Sequence, residues 1–131
     1  MTNDKEMELR KNYPTLFMLK DEDYPINYNG GGIHCYNGWY DLLNRTLAQI
    51  YFHKYPVDII QIKEKLGGLR IYIKSRENLD SIDSDKIDMI LNNAEIESKT
   101  ICETCGKSGK LDSSNIHCIR TICDECIQKD I

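Results

Sequence analysis

Four cysteines near the C-terminus carry the strongest chemical signal in the chain. They form two Cys-x-x-Cys knuckles, Cys102-Glu103-Thr104-Cys105-Gly106 and Cys123-Asp124-Glu125-Cys126, separated by seventeen residues. Thiolate sulfur is a soft ligand, and this spacing lets two tight turns deliver four sulfurs to one tetrahedral Zn²⁺. Gly106 suits the turn after the second cysteine, where backbone N–H groups fold back toward sulfur. Four thiolates leave no coordination position for water or substrate, so the expected role of Cys102, Cys105, Cys123 and Cys126 is structural.

A second group of residues could bind an anion. Lys63, Lys65 and Arg70 flank the dipeptide Gly67-Gly68, and the amides of such a turn with nearby cations can cradle a phosphate. The competing reading is an exposed hairpin whose basic residues keep other strands from pairing with its edges. No Gly-Lys-Ser or Gly-Lys-Thr sequence of the P-loop kind occurs. Tyr36 and Tyr40 lie beside a glycine-rich stretch and could stack on a base, whereas Trp39 on the apolar side of a helix reads as core. Eight tyrosines in 131 residues exceed what a core of this size needs, which points to an interaction surface.

His34 and Cys35 suggest a base and a nucleophile. Neighbours in sequence rarely point at each other, however, and nothing supplies an orienting acid, so a buried Cys35 acting as a small hydrophobe is expected. His117 and Cys118 read as packing residues of a strand, given an intact set of four knuckle cysteines. No catalytic residue is expected. No cluster of Asp, Glu and His has the spacing of an open metal site.

These groups need elements to hold them. Met1 to Asn12 could form a short helix, ended by Tyr13-Pro14. Residues 21–38, with Pro25, three glycines at 30–32 and several asparagines, form the expected loop. Trp39, Leu42, Leu43, Leu47, Ile50 and Tyr51 recur at helical spacing up to Pro56, which predicts an amphipathic helix. Val57–Lys65 and Leu69–Lys74 read as a hairpin turning at Gly67-Gly68. Alternation groups Leu69, Ile71 and Ile73 on one face against Arg70, Tyr72 and Lys74. It groups Ile60, Ile62 and Glu64 against Ile59, Gln61, Lys63 and Lys65. A second helix is expected from Ser84 as N-cap to Lys99, with Ile87, Ile90, Leu91 and Ala94 inward. After a turn at Asp112–Asn115, Ile116–Ile122 reads as a strand returning to the second knuckle. The expected architecture is α+β: a small antiparallel hairpin or sheet packed with two amphipathic helices, plus a C-terminal zinc ribbon. Its expected parts are a core over 1–99, with the glycine-rich loop and basic hairpin, and a ribbon over 100–131.

The formal charge is −4, and one Zn²⁺ on four thiolates takes it to about −6. Such a chain is a poor general binder of duplex DNA. Residues 45–76 nevertheless hold seven cations against two acids, +5, and residues 77–98 seven acids against one cation, −6. A basic face for an anionic ligand beside a solvated acidic helix is the corresponding reading. With four of six cysteines assigned to metal and no secretion signal, a reducing cytoplasm is expected. No run approaches the ~18 apolar residues that cross a bilayer.

Several ordered motifs together resemble a group of small phage and prophage proteins. They are Asn37-Gly38-Trp39-Tyr40-Asp41-Leu42-Leu43, Gln61-Ile62-Lys63-Glu64-Lys65-Leu66-Gly67-Gly68-Leu69-Arg70-Ile71-Tyr72, Ala94-Glu95 with Ser98, and the two knuckles with Arg120-Thr121-Ile122-Cys123. That group is similar in having a Gly-Trp-Phe-Asp helix start, a Lys-Glu-Lys-Phe-Gly-Gly-Leu-Arg hairpin and a Cys-x-x-Cys-Gly tail. The chain departs at Leu66, where an aromatic residue is usual, and at Tyr36-Asn37, where Gly-Asp is common. The resemblance implies a viral or mobile-element setting, in which small proteins often interfere with bacterial defence.

The expected function is therefore non-enzymatic capture of an anionic, nucleotide-like ligand. Lys63, Lys65 and Arg70 would meet phosphate, and Tyr36 or Tyr40 a base. The alternatives are an inhibitor or accessory factor that binds a host protein through its tyrosine-rich surface and ribbon, and a binder of single-stranded nucleic acid. A homodimer is compatible with each.

Overall fold

The computed structural model describes residues 1–20 and 32–129. The expected glycine-rich loop therefore lies, for residues 21–31, outside the described residues. Helix α1 (Asn3–Asn12) is followed by a 3-10 turn at Pro14–Leu16, strand β1 (Ile33–His34), a 3-10 turn at Asn37–Trp39, and helix α2 (Tyr40–Phe52). Strands β2 (Val57–Lys65) and β3 (Gly68–Ser75) form the hairpin, and helix α3 (Ser81–Ser98) comes next. Strands β4 (Lys110–Asp112) and β5 (Arg120–Ile122) and helix α4 (Asp124–Lys129) complete the α+β architecture.

Two sheets organise these elements. One has the order β1-β2-β3, with β1 parallel and β3 antiparallel to the central β2; the other pairs β4 with β5. On α2 the spacing of Leu42, Leu43, Leu47 and Ile50 buries one side of the helix. They meet Leu9, Leu16, Trp39, Val57, Ile59, Ile62, Leu69 and Ile87 in one core. Thr46 is buried among them, its hydroxyl satisfied by the Leu42 carbonyl at 2.8 Å.

The central strand departs from simple alternation. Ile59 pairs with Ile73 and Gln61 with Tyr72, so Ile60 is an extra residue in a β-bulge. The bulge resets the period, and Val57, Ile59 and Ile62 all join the main core cluster while Ile60, though buried, lies outside it. The grouping of Ile59 with Gln61, Lys63 and Lys65 is thereby corrected: Ile59 belongs with Ile62 and Glu64. The turn is also shifted by one residue. Leu66 (φ 52°) and Gly67 (φ 81°) hold the left-handed backbone, and Gly68 already pairs with Lys65.

Other boundaries move for local reasons. Helix α3 starts at Ser81 because Asp80 caps it, its carboxylate accepting from the Asp83 amide at 2.7 Å. Ser84 lies inside the first turns. The strand expected over 116–122 is confined to Arg120–Ile122, because the Asn115 side chain accepts from the His117 amide and the Asn115 carbonyl from Cys118. His117 and Cys118 are exposed in that turn.

Candidate metal centre and ligand face

The Sγ atoms of Cys102, Cys105, Cys123 and Cys126 all lie within 4.8 Å of one another. All six cysteines are free thiols. Cys105 and Cys123 approach to 3.6 Å, far beyond a disulfide bond. Sulfurs at metal–thiolate distance in a tetrahedron sit about 3.8 Å apart, so the cluster has the dimensions of a four-thiolate site. Burial opposes ionisation of Cys102, yet backbone N–H groups of Cys105, Cys123 and Thr104 outweigh it and bring that thiol down to about 6. The sulfur of Cys123, with burial, pushes Cys126 up to about 12. Four adjacent sulfurs thus ionise together only around a cation, and this donor set can hold a metal ion.

Two glycine positions help fasten the four-cysteine unit to the core. Gly38 is the first. Its amide donates to the Glu103 carbonyl at 2.7 Å, and a Cβ there would fall 2.2 Å from the Cys102 oxygen and 2.4 Å from that of Glu103. The hairpin tip is the second. Thr121 Oγ1 donates to the Gly67 carbonyl at 2.6 Å, and a Cβ on Gly67 would meet Leu111 at 2.4 Å. The glycine turn is therefore a docking surface for the four-cysteine unit. Its Gly67 amide is held by the Glu64 carboxylate at 2.7 Å.

The cations lie on the sheet. Register aligns His34 with Lys63 in β2 and Lys63 with Arg70 in β3, giving one row across three strands on the face turned away from the core. Lys63 Nζ stands 5.7 Å over the Tyr72 ring. Arg70 Nε lies 2.9 Å from Glu95 Oε1 on α3, a charge contact whose N–H is not aligned as a hydrogen bond. Lys65 is exposed at the end of β2.

Tyr36 and Tyr40 part company. Tyr36 is 65% exposed and borders a cleft of about 750 Å³ between β1, the hairpin tip and residues 116–122. His34, Glu64, Leu66, His117 and Arg120 also line it. Its inner wall includes the buried Glu103, whose carboxylate accepts from the Tyr36 amide at 3.1 Å; burial, with Glu64 nearby, pushes that carboxyl up to about 7. Tyr40 lies against α1, with Lys5 Nζ 4.4 Å over its ring. Burial and a hydrogen bond to Glu8 push its hydroxyl up to about 12.

Lys63 and Arg70, which flank the turn in sequence, are cross-strand partners in the hairpin. His34 was missed as their neighbour, because a two-residue strand leaves no periodic signal. Cys35, beside it in sequence, is 4% exposed on the core side, and burial pushes its thiol up to about 12. Histidine and thiol therefore face opposite ways, His34 outward at the end of β1 and Cys35, the residue after it, inward. No family model, curated protein or solved structure matches this chain. Among the described residues no helix is long and apolar enough to cross a membrane.

Proposed function

We propose that this chain is a non-enzymatic binding protein of the phage and prophage kind, which captures an anionic, nucleotide-like ligand at the junction of its sheet face and its cleft. One relation carries the reading. His34, Lys63 and Arg70 share a row, and His34 also borders the cleft that holds Tyr36. Phosphate meets Lys63 and Arg70, with Lys65 and His34 at its margins, and a planar base enters beside Tyr36. Tyr40, packed on α1, takes no part. Sequestering a host defence signal is the biological use that fits such a binder.

The metal in this reading is one Zn²⁺ on Cys102, Cys105, Cys123 and Cys126, the common choice for four thiolates in a tetrahedron. When bound it neutralises the thiolates and fixes the ribbon. Zn²⁺ has no part in ligand chemistry here. Metal analysis of the purified protein should give one zinc per chain, and Cys105→Ser should lose it and loosen residues 100–129 to protease.

The ligand test is capture and release. Zinc-loaded protein is mixed with cyclic dinucleotides, cyclic mononucleotides and ADP-ribose derivatives, desalted and heated, and released molecules are identified by mass spectrometry. An intact nucleotide supports the reading, and a chemically changed one replaces it with catalysis. Recovery of nothing overturns it in favour of a protein partner. That second reading has its own support in Tyr36, Leu66 and Ile116, all more than half exposed around the cleft mouth.

A further inference from the structure

Helix α3 carries apolar side chains on two opposite sides. Ile87, Ala94 and Ser98 are buried against the body of the protein. Ile82, Met89 and Ile96 are 65%, 63% and 67% exposed, and they follow one another at steps of seven residues. Seven residues fall just short of two full turns, so the three form one line on the solvent side. Surface hydrophobes scattered singly need no explanation, but a line of three on the otherwise polar solvent side of a helix has the form of a contact seam.

The charges decide what fits the seam. Residues 77–98 are strongly acidic, yet two of those acids turn back onto the protein itself: Glu95 pairs with Arg70 at 2.9 Å and Glu97 with Arg45 at 2.5 Å. The residues immediately flanking the seam are Asp85 and Lys86, one on each side, followed a heptad later by Asn92 and Asn93. Asp85 and Lys86 offset each other, so the line itself is electrically neutral, with the exposed Asp88 about a quarter-turn to one side, on a chain whose formal charge is −4. A neutral strip is the part of an acidic protein that can approach its own copy without repulsion.

We infer that α3 is a self-association surface whose occupant is the same helix of a second copy of this chain, antiparallel about a two-fold axis. The seam reads the same in both directions about Met89. An antiparallel pairing sets Ile82 on Ile96 of the second copy and Met89 on Met89. Helical spacing then brings Asp85 opposite Asn92 and Lys86 opposite Asn93, so each of these charges meets an amide, while the two exposed Asp88 side chains lie about a quarter-turn off the contact line. The reversed helices also oppose their dipoles favourably. A single helix face supplies less area than the roughly 1,600 Å² of a standard stable interface, so the dimer is a weak one that exchanges with monomer.

Sedimentation velocity on the full, zinc-loaded chain over a wide concentration range tests it. The expected result is a sedimentation coefficient that rises with concentration. Met89→Asp, which sets two carboxylates against each other at the axis, should weaken dimerisation at least tenfold, and Ile96→Asp should weaken it too. Met7→Asp, at an equally exposed site on α1 (69%), should leave it unchanged. Circular dichroism and zinc content should match the parent protein for all three variants, separating loss of the seam from loss of fold. A chain that stays monomeric throughout, or a Met89→Asp variant that dimerises as well as its parent, overturns the inference.

Discussion

The indole Nε1 of Trp39 donates a 2.9 Å hydrogen bond to the carbonyl of Ile101, sixty-two positions away and one residue before the first knuckle cysteine. Trp39 is fully buried, so the bond is made away from water. It fixes the chain where it leaves α3 for the four-cysteine cluster. Trp39→Phe keeps an aromatic ring in the core but leaves a carbonyl without its donor, which costs about 1–3 kcal/mol. Urea denaturation of both proteins measures this. An unchanged midpoint would mean that water replaces the indole.

Gly38 acts at the same junction by having no side chain. Its Cα lies so close to the Cys102 and Glu103 carbonyls that a methyl group would collide with backbone on the first knuckle. Backbone cannot swing aside as a flexible side chain can. Gly38→Ala should therefore destabilise by about 3 kcal/mol, the upper range for overpacking, and should also loosen metal retention against a chelator. A variant that melts with the parent and keeps its metal would show that the knuckle tolerates displacement.

These two residues also mark where sequence reading stops. The Gly38-Trp39 pair is readable as a helix start with a core tryptophan, and Trp39 is indeed core. Its role as the socket of a knuckle more than sixty positions away depends on long-range packing. The same division runs through the fold. Helical spacing marks α2, alternation marks the hairpin, and Cys-x-x-Cys spacing marks the sulfur cluster, because each signal is local. The bulge at Ile60 is silent, since in Val57-Asp58-Ile59-Ile60-Gln61-Ile62 several isoleucines could each be the extra residue. The start of α3 is ambiguous because Asp80 and Ser84 are both competent caps, and only one has the free Asp83 amide in reach. For the proposed ligand face, Lys63 and Arg70 follow from the hairpin. His34 needs the parallel pairing of a two-residue strand, and Tyr40 is drawn away by Lys5 and Glu8 on α1.

Cys35 and Cys118 should differ sharply toward alkylating reagents. The attacking species is the thiolate, and with its thiol pushed up to about 12, Cys35 is ionised at pH 8 in roughly one molecule in ten thousand. It is also buried, whereas Cys118 is exposed. In the folded, metal-loaded protein iodoacetamide at pH 8 should label Cys118 and spare Cys35, with Cys35 modified only after denaturant is added. Peptide mapping by mass spectrometry reads both sites in one experiment. Rapid labelling of Cys35 under native conditions would place β1 in a looser arrangement than its pairing with β2 requires.

Lys63→Ala is the cleanest probe of the proposed ligand face. Arg70→Ala removes a cation from the row but also leaves Glu95, 22% exposed at its side chain, without its partner, so lost binding and lost stability would arrive together. Lys63 stands over the Tyr72 ring at 5.7 Å, an attraction worth about 0.5–1 kcal/mol at an exposed site. A charge-assisted bond to phosphate is worth about 1.5–3 kcal/mol. Lys63→Ala should therefore weaken capture of an anionic nucleotide about tenfold or more while moving the denaturation midpoint little. Added salt should weaken the parent protein more than the variant, because one screened charge contact is gone. Asp112→Ala, in β4 of the four-cysteine unit, should bind like the parent. Equal affinity of Lys63→Ala and its parent, measured by calorimetry, would remove the row from the site and leave the cleft beside Tyr36 to account for binding alone.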